Sequence, residues 1–182
     1  MKKLFLSVTL VGCLWLSAQQ TRREVRQAAP NPGQETRANG AEVPAAYAVN
    51  AHLERVVVLR FKYDSDLRAE LEKMIRQEKI HNAVVLSAFG SVRNYQVHQV
   101  GNRELPPKDI LVKDPSAPAD IIGMSGAVIQ GRLHAHITLA NQDKAFGGHL
   151  EPDTRVFTFA MVTLGVVDDG VDLSKIDDWN YR

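Results

Sequence analysis

The chain has almost no cysteine. Of 182 residues only Cys13 is one, and it lies in the first apolar stretch, so a form cut downstream of it can build no disulfide. Stability must then come from packing, from association of subunits or from a metal. Neither sign of charge dominates: there are 22 Lys+Arg against 21 Asp+Glu, and loss of Lys2 and Lys3 with a leader leaves 20 against 21, a net charge of −1 with histidines neutral. That balance offers no basic stripe of the kind on which non-specific nucleic-acid binding depends. Long hydrophobic runs are missing too, since the apolar run from Leu4 to Leu16 is too short to span a bilayer as a stable helix. No internal repeat is found.

What that run does provide, after Met1-Lys2-Lys3, is the charged n-region and short h-region of a secretory signal. Ala18 puts a small residue before Gln19, so residues 1–18 are expected to be a signal peptide and the mature protein periplasmic or secreted. Leu10-Val11-Gly12-Cys13 also resembles a lipobox, and cleavage there would leave a lipoprotein anchored to the membrane at Cys13. Residues 19–50 read as a disordered linker, with Pro30, Pro32, Gly33, Gly40 and Pro44 among polar residues and a locally basic start at Arg22, Arg23 and Arg26. Residues 51–182 form one domain, long enough to bury a core.

Within that domain, Arg55 to Lys62 is β-rich, and Asp64 or Ser65 is expected to cap a helix whose apolar positions Leu67, Leu71, Met74 and Ile75 make one stripe. Strand-like runs follow at 83–89, 92–100, 110–113, 121–129, 133–140 and 155–167, while Pro106, Pro107, Pro115 and Pro118 mark a loop-rich middle. One main packed helix against so many strands predicts an α+β domain with a mainly antiparallel sheet.

The chemistry lies in Gly131 to Leu150. Alternation from Leu133 to Leu139 puts His134, His136 and Thr138 on one face of a strand, and a turn over Asn141 to Lys144 pairs residues whose numbers sum to 285, which sets His149 opposite His136. Directly opposed Cβ atoms lie roughly 4.5–5.5 Å apart, close enough for imidazoles to converge on one ion at about 2.0–2.1 Å. Gly147 and Gly148 mark a bulge or a close backbone approach. Three neutral imidazoles with an open fourth position suit zinc, although nickel or copper takes the same nitrogens. In this register Glu151 faces His134, where it can orient an imidazole or act as a fourth ligand; it and Asp153 can equally be surface turn residues. Ser91, Arg93, Asn94, Tyr95 and His98 form a polar group on another strand, read as a solvent face or as one side of a cleft at a subunit boundary. His52 and His81 are read as exposed or capping.

The pattern H-x-H, ten residues, G-G-H, with Ser87-Ala88-Phe89-Gly90-Ser91-Val92 and Gly123-Met124-Ser125-Gly126-Ala127-Val128, resembles the plants and prokaryotes conserved (PPC) domain over about Arg55 to Val167. The resemblance implies an α+β domain assembled as a homotrimer, with zinc in some prokaryotic members at histidines matching His134, His136 and His149. It also implies DNA binding, as in plant members that carry an AT-hook; here no Arg-Gly-Arg core occurs, and export argues against DNA as a partner. Expected, then, is an exported metal-binding protein that associates with itself and takes a small-molecule ligand. Two alternatives stand beside it, a DNA-binding protein and a zinc-dependent hydrolase-like enzyme, in which the ion lowers the pKa of bound water to near 7.

Overall fold

A computed structural model describes residues 23–27 and 40–178. The expected leader, Cys13 with it, and half of the expected linker, residues 19–22 and 28–39, lie outside the described residues. No helix among the described residues is long and apolar enough to cross a membrane.

Among the described residues, eight strands and one α-helix follow in the order β1 (Glu24–Gln27), β2 (Leu53–Lys62), α1 (Leu67–Gln77), β3 (Ala83–Val100), β4 (Asp109–Asp114), β5 (Ala119–Ile129), β6 (Arg132–Ala140), β7 (Ala145–Leu150) and β8 (Arg155–Val167), and a 3₁₀ turn, Ser174–Asp177, comes after the last strand. Every strand pairing is antiparallel. The α+β architecture is the one the periodicities predict. Glu24–Gln27, inside the stretch read as linker, is a difference: it pairs with Ile110–Lys113 of β4 as a short edge strand.

β3 organises the sheet. The sequence suggests two strands broken near Gly90, but one 18-residue strand runs through, with register shifts at Gly90/Val92 and Val92/Asn94. Gly90 has φ +138°, and a Cβ there would lie 2.3 Å from the Phe159 carbonyl oxygen, so the bend requires glycine. From Ala83 to Asn94 β3 pairs with β5 and β8; from Tyr95 to Val100 it pairs with β4 and, through Val97 and His98, with β7. The circuit β3–β5–β6–β7 therefore closes on itself.

Helix α1 buries the expected stripe, Leu67, Leu71 and Ile75, against the core, with Met74 packed at its margin. Its cap is Asp66 rather than Asp64 or Ser65, accepting from the Ala69 amide at 3.0 Å. Asp64 is unavailable because it turns the chain at φ 63°, with its amide donating to the Val156 carbonyl. Behind the helix the inward side chains of β8, Val156, Ala160, Val162, Leu164 and Val166, are all buried.

The β6–β7 hairpin keeps the predicted register without a bulge, from His136 opposite His149 to Ala140 opposite Ala145. Close approach explains the glycine pair. A Cβ on Gly147 would stand 2.0 Å from the Ile137 carbonyl oxygen, and one on Gly148 2.3 Å from that of His98. Strand β7 is thus pressed between β6 and β3, with no room for a side chain at Gly147 or Gly148. Gly147→Ala should force β6 and β7 apart, destabilising the protein by about 1–3 kcal/mol or more on the scale of overpacked cores, measured as a lower denaturation midpoint.

Candidate metal centre

Four histidines meet where β6, β7 and β3 lie side by side. His134 and His136 share the outward face of β6, because Ala135 between them and Ile137 after them are buried. Their rings stack with centres 5.4 Å apart, and their Nε2 atoms are separated by 3.4 Å. His149 stands edge-on to both, its ring centre 5.1 Å from that of His134 and 5.6 Å from that of His136. The fourth is His98 of β3, paired with His149 across β7 and stacked on it at 4.4 Å.

Carboxylates hold these rings from behind. Glu151 Oε1 accepts from His98 Nδ1 at 2.5 Å and from His149 Nδ1 at 2.9 Å, while Oε2 accepts from the Arg68 guanidinium at 3.0 Å. Asp177, in the C-terminal 3₁₀ turn, lies 2.9 Å from His134 Nδ1. An imidazole that donates through Nδ1 keeps its Nε2 lone pair for an ion, the familiar carboxylate–histidine–metal relation. Two ligands at roughly 2.0–2.1 Å on a tetrahedral ion stand about 3.3–3.4 Å apart, which the His134–His136 separation already matches.

Among the described residues, the trio whose ligand atoms all lie within 4.8 Å of one another is His98, His149 and Glu151. It shares only His149 with the sequence-derived set. The structure thus sets the rings of His134, His136 and His149 5.1–5.6 Å apart, with the Nε2 atoms of the first two 3.4 Å from each other, and adds a histidine and a carboxylate beside them.

Glu151 departs from its expected place opposite His134. Pairing of β7 with β6 ends at His149; Leu150 pairs instead with Val97 of β3, and the Glu151 amide donates to the Gln96 carbonyl. Fully buried Thr154 fixes the following turn, its Oγ1 accepting from the Gln96 amide at 3.1 Å and lying 3.0 Å from the Glu151 carbonyl oxygen. Asp153 is outside the centre, paired with Lys113 at 2.8 Å.

The polar group read on β3 disperses. Ser91 bonds Thr158, Arg93 bonds Tyr63 and Asp64, Asn94 donates to the Asp153 carbonyl, and Tyr95 is buried against Phe146. Only His98 joins the centre, and within one chain. Its sequence signal is its place in a polar group on a strand; Arg68 and Asp177 give none. His52 and His81 are exposed.

Electrostatics separates the histidines. Burial works to raise the pKa of Glu151, but hydrogen bonds from His149 and His98 and the charge of Arg68 outweigh it and bring the carboxyl to about 2. The hydrogen bond it donates to Glu151 raises His98 above the ordinary imidazole value despite burial, whereas burial and then the neighbouring imidazoles lower His136. A raised folded-state pKa means that His98 stabilises the fold below its unfolded pKa and loses that contribution as pH rises through the folded value. In metal-free protein, NMR titration should therefore show His98 above, and His136 below, a free histidine, with Glu151→Gln returning His98 downward. Equal values in wild type and variant would remove the Glu151 contact as the cause.

Comparison with known proteins follows the same lines. The chain is 32% identical over 111 residues to the bifunctional protein GlmU of Synechococcus sp. strain JA-3-3Ab, a match that takes in 60% of this chain and 17% of that protein, so the chain spans about a sixth of the length of the curated relatives it matches. Among solved structures, the plant- and prokaryote-conserved (PPC) protein of Pyrococcus horikoshii superposes with a TM-score of 0.56 at 18% identity, over 70% of this chain and 89% of that one. A metal-containing protein of Archaeoglobus fulgidus does so with a TM-score of 0.54 at 23% identity, over 70% and 86%. A candidate DNA-binding protein of Bacteroides thetaiotaomicron gives 0.52 at 13% identity, over 65% and 83%. These likenesses establish a shared fold. The profile of the Plants and Prokaryotes Conserved (PCC, or PPC) domain matches residues 49–168, and the chain belongs to that family.

Proposed function

We propose that the protein is an exported, self-associating PPC-domain protein that binds one divalent metal ion, best suited to zinc, through His134, His136 and His149. The 3.4 Å separation of the His134 and His136 Nε2 atoms, with the His149 ring edge-on beside them, is the observation that carries this reading. Glu151 and Asp177 then orient rings rather than bind the ion, since Glu151 already accepts from two imidazole Nδ1 atoms and Asp177 lies 2.9 Å from a third. The metal-containing relative in Archaeoglobus fulgidus adds support. Zinc held by three imidazoles keeps a position for water or a small-molecule ligand, and it is this that admits a hydrolase-like activity.

The trio His98, His149 and Glu151 favours a second arrangement, in which Glu151 itself is a ligand. Elemental analysis of purified protein separates the two. About one metal per chain is expected in wild type, a marked loss in His136→Ala and retention in His98→Ala; loss in His98→Ala with retention in His136→Ala would move the ion to the second trio. A wild type without stoichiometric metal would overturn both.

DNA binding, suggested by the candidate role of the Bacteroides relative, is the weaker reading, because the chain is close to electrically neutral and begins with a signal-like leader. It would require affinity that falls steeply with salt.

Self-association has a surface to use. The sheet face opposite α1 exposes Val56, Val58, Val84, Phe89 and Phe157 on three adjacent strands, a run of apolar side chains more usual at an interface than on a monomer. A second and third copy of the chain are its proposed occupants. Sedimentation at micromolar concentration should give three chains per particle for wild type and a smaller species for Val58→Asp; a monomeric wild type would discard the assembly.

A further inference from the structure

Beside the histidines lies a cavity of about 440 Å³ lined by Arg68, Arg76, Arg132, His134, His149 and Asp177. Three arginines reach it from two elements. Arg68, Glu72 and Arg76 recur every four residues on α1 and so form one stripe, while Arg132 shares the β6 face of His134 and His136 by strand alternation. Their charges are not equally committed. Arg68 is held by Glu72 at 2.9 Å, Glu151 at 3.0 Å and the Leu150 carbonyl at 3.1 Å, which makes it a structural strut. The acidic side chains in the wall are also taken, Glu72 by Arg68 and Asp177 by His134. Arg76 and Arg132 form no ion pair among the described residues. Two guanidinium groups thus face a concave, polar space whose other wall is the histidine cluster.

We propose that this cavity binds the oxyanion group of a small-molecule ligand, a carboxylate or a phosphate, through Arg76 and Arg132 and presents the rest of the molecule to the histidines. Guanidinium suits this task because its planar fork offers paired N–H donors matched to two oxygens of either anion. A neutral or cationic ligand would leave both arginines uncompensated on entering. The proposal rests on the metal reading for what the ligand meets at the histidines, but the arginines themselves need no metal to bind an anion.

Titration calorimetry of the full chain with inorganic phosphate and, separately, malonate tests it, using zinc-loaded and metal-free protein with metal content measured in parallel. Binding of at least one anion is expected in both forms, tighter with metal, and the stronger of the two probes identifies the ligand class. The variant Arg76→Gln/Arg132→Gln should weaken binding on the order of tenfold or more in both forms, the scale of lost charge-assisted hydrogen bonds, with metal content unchanged. Arg76→Gln alone, at an exposed helix position, serves as the milder variant should the double one fold poorly, and is expected to weaken binding by a smaller factor. Neither anion binding to metal-replete wild type, or affinity untouched by either variant, would overturn the anion site and leave the metal reading standing. Phosphate binding that depends on the arginines in a protein with no stoichiometric metal would do the reverse.

Discussion

Two missing side chains make the centre. Strand β7 fits between β6 and β3 because Gly147 and Gly148 let the Ile137 and His98 carbonyls come where a Cβ would otherwise sit. The next residue, His149, is then paired on one side with His136 and on the other with His98. A wider strand would push its neighbours outward, and directly opposed imidazoles would no longer approach within about 4.5–5.5 Å at Cβ. The glycines therefore act on the chemistry through spacing alone.

That spacing creates an electrostatic problem, several imidazoles crowded together, and the carboxylates answer it unevenly. Glu151 reaches His98 and His149 but not His136, so the pKa of His98 is raised while burial and the neighbouring imidazoles lower that of His136. A neutral ring is the state a metal ligand needs. The turn that carries Glu151 is fixed at several points: Thr154 bonds β3, the Asp153 amide donates to the Asp66 carboxylate at 2.7 Å, and the Leu67 amide donates to the Thr154 carbonyl at 2.9 Å. The helix cap and the ring-orienting carboxylate thus belong to one connected network.

How much of this the sequence discloses depends on range. The β6–β7 register was legible because a hairpin's pairing is set locally by the turn at Asn141 to Lys144 and by alternation. Extending the same rule to Glu151 failed, since beyond His149 strand β7 leaves β6 for β3, a partner some fifty residues away in the chain. The helix was legible from Leu67, Leu71 and Ile75, but its cap was not: Asp64, Ser65 and Asp66 have similar capping chemistry, and the contact of Asp64 with Val156 decides among them. His98 read as surface because a single strand shows two faces and does not show which neighbour covers one of them. Asp177 had no signal at all, lying after the last strand.

Helix α1 shows why fold and site are hard to separate in so small a domain. Its residues at 67, 71 and 75 are buried in the core, and those at 68, 72 and 76, one step around the helix, line the cavity beside the histidines. The 3.6-residue period ties the two stripes at a fixed angle, so the burial that seats the helix also aims Arg68 at Glu151 and puts Arg76 in the wall of the cavity that Arg132 also lines. Repacking under Leu71 would consequently rotate the cavity wall as well as loosen the core.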